Sequence, residues 1–261
     1  MTTDTPEYKA ISSCRMDLTE MLSNHFREVA GRLRDSGALT NSQCEEIIES
    51  GPPKACARRL IDMITIDIKN DPLDVFAEFV TAMKSSGNKR FKDFVKENIE
   101  AKRKELYREL LQIPPGFVAS QEYDVFISYS HEADTIRMVD NRLCSLLTDE
   151  GLTVFVDRDG LRPGDKWRSE IASAIKTCKA FVVVLTKRYM RSAYCNGELY
   201  EAEALGKRIL PVVCEKGWGD VPGGAPVTEI VKEVQYVSLV AEDSETQLTK
   251  LVESIKTSVS A

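Results

Sequence analysis

The stretch Leu152–Trp167, LTVFVDRDGLRPGDKW, decides what kind of fold the chain builds. Leu152, Val154, Phe155 and Val156 are large or β-branched and apolar, which suits a strand buried on both faces, and Asp157 ends the run with a charge. From there to Asp165 the residues read as a loop, because Gly160 and Gly164 permit positive φ while Pro163 fixes φ and brings no amide hydrogen. Asp165 can accept hydrogen bonds from the free amides of a helix opening near Trp167, in which Ile171, Ala174 and Ile175 recur at helical spacing. A charged loop at the end of a buried strand lies where open α/β sheets hold ligands and partners, so this loop is a candidate functional element.

The same alternation extends on both sides. Tyr123–Tyr129 (YDVFISY) reads as a strand, and Asp134–Glu150 as a helix with Val139, Leu143, Leu146 and Leu147 on one face. Ala180–Leu185 (AFVVVL) has no polar residue and belongs at the centre of a sheet. A helix over Asn196–Leu205 and a strand over Ile209–Val213 follow, then a Gly- and Pro-rich loop from Glu215 to Pro226. A short helix (Val227–Glu233), a strand (Val234–Leu239) and a final helix (Ser244–Val259) complete the chain. Five strands separated by helices predict an α/β domain over residues 122–261. Its sheet is parallel and covered on both faces, with right-handed crossovers and the flavodoxin-like strand order 2-1-3-4-5.

The first part of the chain has a different period. Residues 1–16 carry little pattern and are expected as a flexible tail. Over 17–112 the pattern is helical throughout. Leu18, Met21, Leu22, Phe26, Val29, Ala30 and Leu33 form one long apolar stripe that Gly37 ends. Thr40-Asn41-Ser42-Gln43 is a capping-box sequence that starts the next helix. Gly51-Pro52-Pro53 closes that one and opens a third, Asp71-Pro72 begins a fourth, and a fifth follows Gly87. Short amphipathic helices with short connections pack as a bundle. Residues 113–121, with Pro114, Pro115 and Gly116, mark a linker.

Composition limits the function classes. With 43% hydrophobic and 29% charged residues, the 261-residue chain is expected to be globular and able to bury two cores. No run approaches the roughly 20 apolar residues of a membrane span, and the N-terminus lacks the pattern of a signal peptide, so a cytosolic location is expected. A net charge of −6 argues against general nucleic-acid binding. Seven cysteines without C-x-x-C spacing support neither a disulfide framework nor a zinc site, and are expected to be mostly small buried hydrophobes. Walker, G-x-S-x-G and metal-ligand spacings are absent.

Two resemblances rest on these motifs. RDSGALTNSQCEEII (Arg34–Ile48), ACARRLIDMI (Ala55–Ile64) and VFAEFVTAM (Val75–Met83) occur in the order seen in caspase-recruitment domains (CARD) of the death-fold superfamily. That resemblance implies a module that binds its own kind through charged surfaces. Arg58, Arg59, Lys89, Arg90 and Lys92 would supply a basic face, and Glu45, Glu46, Glu49, Asp71 and Asp74 an acidic one. YDVFISYS (Tyr123–Ser130), the DRDGLRPGDKW loop and SAYCNGELYEA (Ser192–Ala202) resemble Toll/interleukin-1 receptor (TIR) domains in order and spacing.

The TIR resemblance implies one of two functions. As a signalling adaptor the chain would form homo-oligomers and recruit other TIR or death-fold proteins in innate immunity or cell death, with no cofactor. Its contact would be the loop Asp159, Gly160, Leu161, Arg162, Pro163 and Gly164, whose Pro-Gly pair stands where family members insert into a neighbour. As an enzyme it would cleave NAD+ as substrate, releasing nicotinamide and ADP-ribose or its cyclic form. Glu198 stands where the NAD-cleaving members keep their catalytic glutamate. A carboxylate there can stabilise the oxocarbenium-like state formed as the nicotinamide–ribose bond breaks. By the same resemblance Tyr129, Ser130 and Ser192 would position the dinucleotide, Asp157 and Trp167 would shape the cleft wall, and Arg158 would bind phosphate oxygens.

Overall fold

The computed structural model describes residues 5–70, 72–109, 111, 121–156, 167–218, 230–231, 234–240 and 244–259. The chain divides into two compact units, with the break between Leu106 and Tyr107.

The first unit is helical. It contains α1 (Pro6–Ser13), α2 (Arg15–Leu22), α3 (Phe26–Asp35), α4 (Asn41–Glu49), α5 (Pro53–Asn70), α6 (Pro72–Ser85) and α7 (Lys89–Phe94). A π-helical turn (Val95–Glu100) then leads into α8 (Ala101–Glu109). Within the expected tail, Pro6–Ser13 is instead a helix. Thr5 caps it by accepting a hydrogen bond from the Tyr8 amide at 3.3 Å, and Ala10 and Ile11 are fully buried in the bundle core. The long stripe from Leu18 to Leu33 is not one helix either. The chain turns between Leu22 and Phe26, and α2 and α3 each bury part of the stripe. The capping box forms as read: the Thr40 amide donates to Gln43 Oε1 at 2.8 Å, and the Gln43 amide to Thr40 Oγ1 at 3.2 Å. Arg59, of the expected basic face, is paired with Glu46, of the expected acidic face, so these two charges partly neutralise each other within one molecule.

The second unit is built on a five-stranded parallel sheet in the order β2-β1-β3-β4-β5. Its strands are β1 (Val125–Ser128), β2 (Val154–Val156), β3 (Ala180–Leu185), β4 (Arg208–Val213) and β5 (Val237–Ser238). Between β1 and β2 run α9 (Ala133–Met138), a π-helical segment (Val139–Cys144) and α10 (Ser145–Asp149). Next come α11 (Trp167–Thr177), α12 (Lys187–Arg191), α13 (Ala193–Ala204) and the final α14 (Ser244–Val259). The strand order is the flavodoxin-like one. The central strand β3 is buried along its whole length, as its apolar run requires. By contrast β2, read as buried on both faces, is an edge strand whose three residues are half-buried. Val154 and Val156 still pack against the core on one side of the sheet, and Phe155 against Phe126 on the other.

Alternation along β1 separates two cores. Val125 and Ile127 pack with Val139, Leu143, Leu147, Leu251 and Ile255 on one side of the sheet. Phe126 points the other way. It pairs in register with Phe155 of β2 and Phe181 of β3, and the three rings stack with centroids 5.1 and 5.2 Å apart. Two residues on, Ser128 shares that side and meets α13.

None of the seven cysteines is in a disulfide; six are buried and Cys214 is partly so. Burial pushes the Cys14 thiol up to about 12 and the Cys178 thiol to about 11, which keeps both protonated and unreactive. Among the described residues no helix is long and apolar enough to cross a membrane.

Candidate active site

The site forms where β1 ends and α12 and α13 begin. Thr186 closes β3 and caps α12, its hydroxyl accepting from the Tyr189 amide at 3.0 Å. Ser192 repeats this for α13, accepting from the Cys195 amide at 3.3 Å. Asn196 braces the junction: its Nδ2 donates to the Met190 and Ser192 carbonyls at 3.2 and 2.8 Å. The two caps and this brace aim the second turn of α13 at the end of β1.

Glu198 lies on that turn and is 5% exposed. Ser128 Oγ donates to its Oε2 at 2.5 Å, and Tyr189 OH lies 2.8 Å from the same Ser128 oxygen. Just past the strand end, Ser130 Oγ lies 2.9 Å from Thr186 Oγ1. Burial, together with the nearby Cys195 and Glu198 groups, holds the Tyr189 phenol well above its ordinary value, so it stays protonated.

Of these side chains Glu198 and Ser130 line a pocket of about 290 Å³, together with Tyr129, His131, Arg188, Ser192, Tyr194 and Cys195. The pocket gathers four of the residues expected from sequence: Glu198, Tyr129, Ser130 and Ser192. Asp157, Arg158 and the loop residues Asp159–Gly164 lie outside the described residues, as does the side chain of Trp167, which opens α11. Sequence reading missed His131 and Arg188 as pocket residues. His131 follows YDVFISYS directly. Arg188 sits on another helix, and no spacing links it to Glu198.

Larger cavities lie elsewhere in the unit. One of about 730 Å³ runs along β4, β5 and α14, lined by Leu210, Tyr236, Lys250 and Glu253 among others. It holds no buried carboxylate. Another, of about 470 Å³, is lined by Glu132, Asp134 and Glu215, an acidic surround that repels anionic ligands. Chemistry rather than size selects the smaller pocket: a buried carboxylate, hydroxyls, aromatic rings and one guanidinium converge there.

Residues 125–252 match the sequence profile of the TIR domain. This half of the chain is a TIR domain. It is 35% identical over 97 residues to a probable 2′ cyclic ADP-D-ribose synthase of Brachypodium distachyon, BdTIR, an alignment covering 37% of this chain and 43% of that protein. It is 36% identical over 98 residues to the NAD(+) hydrolase TcpA of Theionarchaea archaeon (strain DG-70-1), covering 36% of this chain and 29% of that one. Over 102 residues it is 31% identical to the disease resistance protein RPV1 of Vitis rotundifolia, covering 38% and 7% respectively. The matched region thus spans less than half the length of each relative, and the shared part is the TIR domain.

Proposed function

We propose that the TIR domain cleaves NAD+ between nicotinamide and ribose, with Glu198 as the catalytic carboxylate. The observation that carries this reading is the buried Glu198 side chain on the wall of a pocket that also holds Tyr129, Ser130, Ser192 and Arg188. The domain's similarity to the NAD(+) hydrolase TcpA and to the probable 2′ cyclic ADP-D-ribose synthase BdTIR supports it.

The chemistry follows from charge. When the C1′–N bond breaks, its electron pair leaves with nicotinamide, and positive charge spreads over C1′ and the ring oxygen of the ribose. A nearby carboxylate stabilises that charge most effectively where water is excluded, as at the nearly buried Glu198. Water then attacks C1′ and passes a proton to the Glu198 carboxylate, which later releases it to solvent, giving ADP-ribose; attack by a nucleophilic group of the substrate itself, with its proton, if any, taken up in the same way, gives a cyclic product. A pocket of about 290 Å³ fits the nicotinamide–ribose end, leaving the adenylate to extend outward. Arg188 is placed to meet the pyrophosphate.

In this reading the N-terminal helices, which resemble a CARD, gather copies of the chain, and the loop Asp159–Gly164 lies between neighbouring TIR domains. Clustering raises local concentration and couples an immune or cell-death signal to NAD+ loss. Concentrated intact chain is incubated with NAD+ and nicotinamide release is followed. Wild type is expected to turn over with an activity per chain that rises with protein concentration, and Glu198→Gln to fall at least about 100-fold. No release by wild type at any concentration sinks the proposal.

A further inference from the structure

Glu198 does not stand alone in its wall. Ser128 from β1 and Tyr189 from α12 form a hydroxyl chain behind it, and both side chains are buried, at 1% and 0% exposure. The chain runs from Glu198 Oε2 to Ser128 Oγ (2.5 Å), to Tyr189 OH (2.8 Å), and from there to the Cys195 carbonyl (3.1 Å), one turn before Glu198 on α13.

Counting protons shows what this arrangement does. Each hydroxyl has one proton to give. With Glu198 ionised, Ser128 donates to the carboxylate and must therefore accept from Tyr189. With Glu198 protonated, the carboxyl donates to Ser128, Ser128 to Tyr189, and Tyr189 to the Cys195 carbonyl. Either direction leaves every donor of the chain with an acceptor, so neither charge state strands a buried polar group. The other titratable or charged side chains lining the pocket are Tyr129, His131, Arg188, Tyr194 and Cys195. Cys195 enters the chain through its main-chain carbonyl, the terminal acceptor.

We propose that Ser128 and Tyr189 are positioning residues for Glu198: their reversible hydroxyl chain holds the carboxylate in one orientation and lets it change charge during turnover without rearranging the wall. This rests on the NAD+-cleaving reading above. Because Ser128 holds the carboxylate, Tyr189 holds Ser128, and neither lines the pocket, their loss falls on the chemical step and not on substrate binding.

The test is a double-mutant cycle on the intact chain, with NAD+ as substrate and Glu198→Gln as the inactive control. Ser128→Ala is expected to lower kcat about 10- to 100-fold with KM changed less than about twofold, as expected for a misaimed catalytic group. Tyr189→Phe should lower kcat about three- to tenfold, and the double variant should be no slower than Ser128→Ala, because both substitutions break one chain. Ser128→Thr, which keeps a hydroxyl, should recover most of the lost kcat. Tyr189→Phe removes a single oxygen and carries the test should Ser128→Ala lose its native circular dichroism.

The outcomes separate the two claims. Absence of nicotinamide release from wild type removes the NAD+ reading and the hydroxyl chain with it. If wild type turns over and Glu198→Gln does not, three results overturn the chain alone: kcat within twofold of wild type in both single variants, a loss confined to KM, or losses that multiply in the double variant.

Discussion

The Asp124 carboxylate, one residue before β1, accepts from the Thr153 amide and hydroxyl at 2.9 and 2.8 Å and from Lys179 Nζ at 2.9 Å. It therefore ties together the starts of β2, β1 and β3. Burial works to raise its pKa, but the bonds from Thr153 and Lys179 outweigh it, and the group sits below its ordinary 3.8. A carboxyl depressed in the folded state stabilises the fold above its unfolded value and loses that contribution as pH falls through the lower folded one. Asp124→Asn is thus expected to cost on the order of 1–2 kcal/mol at pH 7. Urea unfolding should show the difference from wild type shrinking as pH falls below about 4. A gap that stays constant to pH 3 would show that the charge of Asp124 contributes nothing. Asp124 stands in the YDVF motif, yet its partners lie 29 and 55 residues away, so nothing in the motif named them.

Among the elements, α13 carries the greatest constraint. Cys195 to Tyr200 are all buried on it, and apolar and polar residues are mixed around its circumference, so it has no stripe to read. Gly197 is the reason it fits. A Cβ at that position would lie 2.8 Å from the Tyr107 carbonyl oxygen and 3.6 Å from a Leu111 methyl group. The helix approaches the Tyr107 backbone that closely only because it has no side chain there. Gly197→Ala keeps the helix propensity favourable and places a methyl group against that carbonyl, so either α13 or Tyr107 must move. The expected cost is about 1–3 kcal/mol in chemical unfolding of the second unit. Because Glu198 is the next residue, nicotinamide release should fall as well. An alanine variant as stable as wild type would mean that this contact yields freely.

For the molecule as a whole, the second compact unit begins at Tyr107. Tyr107 and Leu111 are 1% and 2% exposed, and the Tyr107 ring lies 5.9 Å from that of Tyr200. Arg108 adds an ion pair to Glu201 at 2.9 Å. Tyr107 and Leu111 therefore belong to the core of the second unit. A fragment beginning at Tyr107 should consequently be more stable than one beginning at Gln121 by about 2–4 kcal/mol, the scale of two buried side chains. Equal melting temperatures for the two fragments would refute this. The longer fragment should also be sensitive to Gly197→Ala, and the shorter one not.

Patterns of period two and three to four residues follow from local geometry and hold wherever the element packs. This is why the helical first half, the capping box at Thr40, the apolar central strand AFVVVL and the alternation of strands with helices could all be read directly from the chain. Tyr129, Ser130, Ser192 and Glu198 were legible through motifs, although no motif says that they share a pocket. What local order could not supply is whatever depends on which distant segment arrives alongside. The apolar residues of β2 would suit a central strand, and only its place at the end of the sheet leaves them half-buried. The turn that divides α2 from α3 interrupts an apolar stripe that continues through it. Ser128 and Glu198 are 70 residues apart, and they meet because alternation along β1 turns Ser128 to the side of the sheet that α13 covers.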